Sequence, residues 1–226
     1  MLRGVIFDFD GVLVDSERAH FEAFRVVLAD AAGLDIVFEE YVEHYLAHDD
    51  HAGVRRALEH HGQRADRARV GDLAVRKGEA FMGLLPTIPF LPGARDLVVS
   101  LARADVPLAI ASGARRHEID ALLRSQDLLD CFRGIISADD VDNHKPHPEP
   151  YLRGRALVGA SEEPRGVVAV EDSPTGMASA RAANLRVIGV SNSYTRERLG
   201  LAHLVVGALT ELTVADVAEV VEGATE

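Results

Sequence analysis

The chain has 226 residues, of which 47% are hydrophobic, and it carries a formal net charge of −12. This length predicts one core domain with an insertion, because domains typically span roughly 100–200 residues. The acidic charge argues against a nucleic-acid partner, since phosphate backbones are bound by basic surfaces.

Cysteine usage and the apolar segments indicate the compartment. Cys131 is the only cysteine, so an intrachain disulfide is impossible and we expect a cytoplasmic protein. The N-terminus enters a strand within a few residues, which predicts that no signal peptide is present. No apolar stretch reaches the ~18 residues that span a bilayer, so no membrane partner is expected.

The first strand is predicted in VIFDFDGVLVD, from Val5 to Asp15, and it ends in two carboxylates. Because side chains alternate along a strand, we expect Asp8 and Asp10 on one side of it. Two such charges repel each other unless a cation or a proton lies between them. Gly11 then allows a sharp turn. Taken alone, this segment also fits a solvated strand end with a turn glycine.

A helical pattern replaces the strand pattern from Ser16 and continues to Gly33. No convincing strand follows before Val106, so we predict an all-helical insertion over residues 16–90. Three prolines near its end are expected to stiffen the return to the core. Its remaining helices are predicted at Phe38 to Ala47, Gly53 to His61 and Ala68 to Leu85.

Helices and strands alternate again after the insertion. The run VPLAIASG predicts a strand that stops at Ser112 and Gly113, where a helix begins. There a hydroxyl and free N–H groups can hold a phosphate oxygen, although an ordinary serine cap is the alternative. The next strand, in RGIISADD, leads to Lys145 before Pro146. This lysine is placed to bring a positive charge to the strand ends, and a surface lysine is the alternative.

The run GVVAVEDSPTG predicts a buried parallel strand that ends at Glu171 and Asp172. Ser173 is expected to cap a helix that begins at Pro174, and Asp172 alone also fits a capping role. The last predicted elements are a strand at Arg186 to Val190, an edge strand in HLVVGAL, and a helix capped by Thr213 that reaches Val221.

These polar residues all follow predicted strands, at the edge where open α/β sheets bind ligands. Carboxylates are hard oxygen ligands for Mg²⁺, and a hydroxyl, a lysine and helix N-termini donate to phosphoryl oxygens. The sequence therefore predicts an α/β fold: a doubly wound, Rossmann-like parallel sheet (residues 1–15 and 91–226) with an all-helical cap (16–90). We expect such a cap to close over the strand ends, exclude water and select the substrate.

The segments DFDGVLVD, ASG, KPHPEPY and VEDSPTG, in this order, resemble the haloacid dehalogenase-like superfamily, in its phosphatase and β-phosphoglucomutase branch with a helical cap. The resemblance covers essentially the whole chain. It implies that Asp8 is the nucleophile that becomes an aspartyl phosphate. It also implies that Asp10 is the general acid and base, with its backbone carbonyl on Mg²⁺.

The same resemblance assigns the remaining core residues. Ser112, Gly113 and Lys145 would hold the transferring phosphoryl group, and Glu171 with Asp172 would complete the metal site begun by the two aspartates of the first segment.

In the cap, Lys77 falls on the apolar stripe of the last helix, where it either extends to solvent or faces a polar cleft. The resemblance favours the cleft and gives substrate-binding roles to Lys77 and His20. The family's arginine for a second phosphate is matched here by Asp50, while Arg55 and Arg56 lie more than one helical turn further on. Because a carboxylate repels a phosphate, hydrolysis is favoured over a two-phosphate mutase.

Histidines crowd the cap and raise the alternative of a transition-metal site. They lack the paired spacing framed by a glutamate that such sites show, and Asp49 and Asp50 fit a solvated face equally well. We therefore interpret the group as surface residues: His44, His48, His51, His60 and His61.

The leading prediction is a Mg²⁺-dependent phosphatase that hydrolyses a small phosphorylated metabolite, expected to be a sugar phosphate, through an aspartyl-phosphate intermediate. The runner-up is a β-phosphoglucomutase-like isomerase that returns the phosphoryl group to a sugar hydroxyl. A receiver-like phosphoacceptor module is a third hypothesis, disfavoured by the paired aspartates of the first strand and the helical insertion. The sequence leaves the substrate and the oligomeric state open, and a monomer is compatible with it.

Overall fold

The computed structural model describes residues 1–46, 48–162 and 164–223. The chain divides into two compact units, one formed by Met1–Asp15 with Pro89–Glu226 and the other by Ser16–Ile88. Within the described residues, no helix combines the length and the apolar character that a membrane span requires.

The first unit is built on a parallel sheet of six strands: β1 (Gly4–Phe7), β2 (Leu108–Ala111), β3 (Gly134–Ile136), β4 (Val167–Glu171), β5 (Arg186–Val190) and β6 (Leu204–Val206). They lie in the order β3-β2-β1-β4-β5-β6. Along the chain, β2 and β3 are added on one side of β1, and β4, β5 and β6 on its other side. Doubly wound sheets bind ligands at this switch point, between β1 and β4. β1, β2 and β4 are buried throughout, as expected for parallel strands that are covered on both faces.

β1 is shorter than the sequence predicts, because it ends at Phe7. The N–H groups of residues 12–14 all donate to the carbonyl of Phe9 and wind the following chain into a turn. Asp8 and Asp10 therefore lie after the strand, and the prediction that the strand itself extends through them is wrong. Gly11 has a φ of 74° in this turn, so the expectation of a turn glycine is confirmed.

The Ser16–Ile88 unit is helical in its described residues, with a short 3₁₀ turn after the last helix. The first helix ends at Gly33, as predicted, in the left-handed conformation that glycine favours. Its apolar core contains several aromatic rings, with Phe24 in contact with Tyr41 and Tyr45. The helices are α1 (Glu17–Ala32), α2 (Phe38–His44), α3 (Asp50–His60) and α4 (Arg67–Leu84).

Two of these helices differ in length from the prediction. α2 ends at His44, and Ala47, the predicted end, lies outside the described residues. α3 begins before the predicted Gly53, because the Asp49 carboxylate accepts a hydrogen bond of 2.9 Å from the N–H of Ala52 and caps the helix earlier.

The helices of the first unit pack around the sheet. Ser173 caps the fourth of them by accepting a 3.0 Å hydrogen bond from the N–H of Gly176, as predicted. Thr213 caps the last in the same way, and β6 forms an edge of the sheet, as predicted. The helices are α5 (Ala94–Arg103), α6 (Arg116–Ser125), α7 (Glu149–Leu157), α8 (Pro174–Ala182) and α9 (Val214–Glu222).

Candidate active site

Three polar side chains follow directly on three neighbouring strands. Asp8 follows β1, Ser112 follows β2 and Asp172 follows β4, and all three are buried. The strands are parallel neighbours in the order β2-β1-β4, so their carboxyl ends meet at one edge of the sheet. The candidate site lies at this edge.

Lys145 links two carboxylates of the site. Its Nζ lies 2.9 Å from Oδ1 of Asp8 and 2.7 Å from Oε1 of Glu171. Burial alone would lower the pKa of Lys145, but the charges of Asp8 and Glu171 outweigh it and raise the pKa above its ordinary value. The lysine therefore remains an ammonium ion and contributes a fixed positive charge.

Glu171 is completely buried and is held by donors on both oxygens. Oε1 accepts from Lys145 and, at 2.8 Å, from the hydroxyl of Tyr151. Oε2 accepts from the backbone N–H of Asp172 and from the N–H and hydroxyl of Ser173, at 3.0–3.1 Å. Burial would raise the pKa of Glu171, but Lys145 and these hydrogen bonds lower it, so this carboxylate is ionised and fixed in orientation.

The other two carboxylates lack such compensation. Burial raises the pKa of Asp8 well above its ordinary value, and the charges of Glu171 and Asp172 add to the rise that Lys145 opposes. Burial and the charge of Glu171 raise the pKa of Asp172 to about 7, although a hydrogen bond with Ser193 opposes this. The charge of Asp10 also raises it. One lysine thus does not neutralise the cluster.

A divalent cation would offset the excess negative charge of these carboxylates. Ligand oxygens of Asp8, Glu171 and Asp172 lie within 4.8 Å of one another. All are carboxylate oxygens, the donor type that Mg²⁺ prefers, and the raised pKa values of Asp8 and Asp172 indicate that the group lacks positive charge. The residues present therefore suit the predicted magnesium ion.

Gly11 brings the turn after β1 against Asp172. A Cβ at this position would overlap Oδ2 of Asp172 and lie 2.8 Å from the hydroxyl oxygen of Ser193. Asn192 donates a 3.4 Å hydrogen bond to the carbonyl of Gly11. The segment after β5 thus forms the side of the site next to Asp172.

Sequence reasoning missed Tyr151 and Ser193 as members of the site. Tyr151 ends the KPHPEPY segment, and Ser193 lies three residues past the end of β5, as other site residues lie just past their strands. That position after a strand was the available signal. A serine there is common enough in loops that it indicates nothing without the neighbouring Asp172.

Ser112 is not the N-cap residue of the helix that follows it. Its hydroxyl accepts a 3.0 Å hydrogen bond from the N–H of Ala114, whereas α6 begins at Arg116. Gly113 is exposed, and a Cβ there would meet no atom within 4 Å. The backbone between β2 and α6 is therefore open at Gly113, beside a buried hydroxyl.

In the Ser16–Ile88 unit, Lys77 is buried in an ion pair rather than extended to solvent. Its Nζ lies 2.7 Å from Oδ1 of Asp50 and 2.8 Å from Nδ1 of His20. The His20 ring stacks on Phe81, with centroids 3.9 Å apart. Burial and the charge of Lys77 lower the pKa of His20, so the imidazole is neutral. Asp49 is exposed and caps α3, so the expected solvated face holds there, whereas Asp50 is partly exposed and pairs with Lys77.

The cap histidines form contacts of their own. Nε2 of His61 lies 2.7 Å from Glu40, and the Tyr45 hydroxyl lies 3.3 Å from Nδ1 of His60. Across residues 1–46, 48–162 and 164–223, one group of histidine, cysteine and acidic ligand atoms is close enough for a metal ion, and it is the carboxylate group after β1 and β4.

A model of the haloacid dehalogenase-like hydrolases matches residues 5–190 of the chain. The chain belongs to this family. Its predicted family, its α/β fold class and its assignment as a hydrolase are thereby confirmed.

Known haloacid dehalogenase-like proteins resemble the chain over most of its length. Protein CbbY of Rhodobacter capsulatus is 34% identical over 203 residues, which cover 86% of this chain and 88% of the relative. Hexitol phosphatase B of Escherichia coli O157:H7 is 30% identical over 226 residues, which cover 93% and 94%. A crystal structure of a CbbY mutant from Rhodobacter sphaeroides, in complex with xylulose-(1,5)bisphosphate, is 28% identical with a TM-score of 0.81, covering 96% of this chain and 99% of the other.

Proposed function

We propose that the chain is a Mg²⁺-dependent phosphatase that hydrolyses a small phosphorylated metabolite, a sugar or polyol phosphate, through an aspartyl phosphate on Asp8. The observation that carries the proposal is the ion pair between Lys145 and Asp8, inside a buried group of three carboxylates at the sheet edge. A carboxylate nucleophile beside a fixed ammonium and a cation site suits phosphoryl transfer through a covalent intermediate. The names of the relatives, hexitol phosphatase B among them, agree with it.

In the first half of the reaction, a carboxylate oxygen of Asp8 forms a bond to phosphorus while the bond from phosphorus to the leaving oxygen breaks. Asp10 gives its proton to that leaving oxygen. Ser112, the backbone at Gly113 and Lys145 bind the phosphoryl oxygens and offset their growing charge.

In the second half, a water molecule attacks the phosphorus of the aspartyl phosphate, and Asp10 accepts the proton of the water. The bond between phosphorus and Asp8 breaks, so inorganic phosphate leaves and the carboxylate is restored. Glu171 keeps Lys145 in place through both steps, since its oxygens are fixed by Tyr151 and Ser173.

Asp8, the backbone carbonyl of Asp10, Glu171 and Asp172 are the residues that we propose to hold Mg²⁺. When bound, the ion supplies the positive charge that lets carboxylates and a phosphate dianion approach each other. The excess of buried negative charge among these side chains supports this role.

We propose the Ser16–Ile88 unit as the cap, with His20 and Lys77 binding the part of the substrate remote from the phosphate. The resemblance of these two residues to the β-phosphoglucomutase branch supports it. The single cysteine supports a location in the reducing cytoplasm.

The test is a panel of phosphorylated sugars and polyols with Mg²⁺, in which both inorganic phosphate and isomerised product are measured. We expect phosphate release that a chelator abolishes. For β-glucose 1-phosphate with a catalytic amount of the bisphosphate, we expect no accumulation of glucose 6-phosphate. Its efficient formation would establish a mutase, and a protein that is phosphorylated once without turnover would indicate a receiver-like module.

A further inference from the structure

The ion pair between Lys77 and Asp50 has an unequal exposure to solvent. The side chain of Lys77 is 5% exposed, whereas that of Asp50 is 33% exposed. Lys77 comes from α4, Asp50 from the first turn of α3, and His20 from α1. Three helices thus converge on a polar cluster whose accessible end is a carboxylate, with the ammonium covered.

The protonation of the cluster follows from its hydrogen bonds. An ammonium ion has only donors, so Nδ1 of His20, 2.8 Å from Lys77, is an acceptor. A neutral imidazole that accepts at Nδ1 carries its hydrogen on Nε2, so His20 can donate from there. Lys77 contributes one positive charge, Asp50 one negative charge and His20 none. The cluster is therefore electrically neutral.

These groups distinguish a hydroxyl from a phosphate. A hydroxyl donates to the Asp50 carboxylate and accepts from an N–H group, so it fits both kinds of partner. A phosphate dianion has only acceptors at neutral pH and is repelled by the exposed carboxylate. The ammonium of Lys77, already bound to Asp50 and His20, offers little compensation.

We propose that Asp50 is a specificity-determining residue that directs the enzyme towards monophosphorylated sugars or polyols, whose hydroxyl groups it accepts from, and against bisphosphates. This inference rests on the proposed function, in which His20 and Lys77 bind the substrate. The relatives described above include both substrate types by their names: a hexitol phosphatase, and a CbbY mutant in complex with a bisphosphate. We expect this chain to share the first type of substrate.

The experiment compares kcat/KM for sorbitol 6-phosphate and fructose 1,6-bisphosphate in the wild type, Asp50→Asn and Asp49→Asn. Asn has the size of Asp but lacks its charge, so Asp50→Asn removes the repulsion and weakens the hydroxyl contact. We expect the preference of the wild type for the monophosphate to fall about 10–100-fold, the range expected for a hydrogen bond to a charged group. The fall should include a higher KM for sorbitol 6-phosphate.

Asp49→Asn is the matched control, because it makes the same charge change one residue away and Asn also caps helices well. We expect its preference to equal that of the wild type. If Asp50→Asn does not fold because Lys77 is left buried without its partner, the double variant Asp50→Asn with Lys77→Met removes both charges and should lose the same preference.

An unchanged preference in a folded Asp50→Asn protein, or the same fall in Asp49→Asn, would overturn the inference. So would a wild type that hydrolyses the bisphosphate more efficiently. Phosphate release from either substrate by the wild type would still sustain the proposed phosphatase. Its absence from the whole substrate panel would instead remove the proposed function itself.

Discussion

Gly11 packs against the carboxylate of Asp172 so closely that no Cβ fits between them. Its φ of 74° adds a second constraint, because residues other than glycine rarely adopt that backbone conformation. The turn after β1 therefore packs directly against Asp172, the proposed metal ligand that follows β4. The glycine is required by the position of Asp172 as well as by the turn.

Gly11→Ala should consequently impair magnesium binding as well as folding. We expect a loss of about 1–3 kcal/mol in the free energy of unfolding from backbone strain. The displaced Asp172 should also raise the Mg²⁺ concentration required for phosphate release by at least about tenfold. Gly159→Ala is the matched control, since Gly159 has a φ of 73° but open space around it. It should cost similar stability and leave the magnesium requirement unchanged; an equal change in both variants would contradict the argument.

Asp8→Asn is expected to abolish phosphate release while the fold is kept, because an amide does not attack phosphorus as a carboxylate does. The raised pKa of Asp8 shows that its ionised form is costly in the metal-free protein. The melting temperature of the metal-free variant at neutral pH should therefore equal or exceed that of the wild type. Phosphate release and thermal unfolding are measured on the same preparation. Retained turnover would exclude Asp8 as the nucleophile.

Asp10→Asn should slow turnover by about 10²–10⁴, the usual effect of losing a general acid and base. Asp8 remains in this variant, so it should still bind beryllium fluoride as a phosphoryl mimic in the presence of Mg²⁺, which fluorine NMR detects. Asp8→Asn provides the comparison that binds no mimic. A normal rate in Asp10→Asn would remove Asp10 from the mechanism.

The carboxyl-end residues were predictable because each follows an apolar run, and parallel strands align those ends. The order of the motifs predicted the fold as well, because each motif lies at the end of one predicted parallel strand. The end of β1 was not predictable from alternation: Phe9 is buried like a strand residue, yet its carbonyl receives the N–H groups of residues 12–14 in a turn. An apolar residue that packs in a turn has the same sequence signature as one in a strand.

The ion pair between Lys77 and Asp50 could not be predicted from the periodicity of the sequence. Helical spacing placed Lys77 on the apolar face of α4, which is correct, since the side chain is buried. The partner comes from another helix, and the register between two helices depends on how their side chains interlock. Helical spacing left Lys77 either extended to solvent or facing a polar cleft, and only the packed structure identifies Asp50 as its partner.

The pKa of about 7 at Asp172 predicts how magnesium and pH are coupled. The ordinary value is 3.8, so between about pH 4 and pH 7 the unfolded chain ionises while the metal-free fold retains the proton. Stability from this group is present at low pH and is lost as the pH rises through about 7. Mg²⁺ requires the carboxylate, so the rise in melting temperature on adding Mg²⁺ should be small near about pH 5 and larger near about pH 8. Asp172→Asn should reduce that difference, and Asp8, whose pKa is also raised, should account for the part that remains. A magnesium effect that is equal at both pH values in the wild type would contradict both the raised pKa and the role of Asp172 as a ligand.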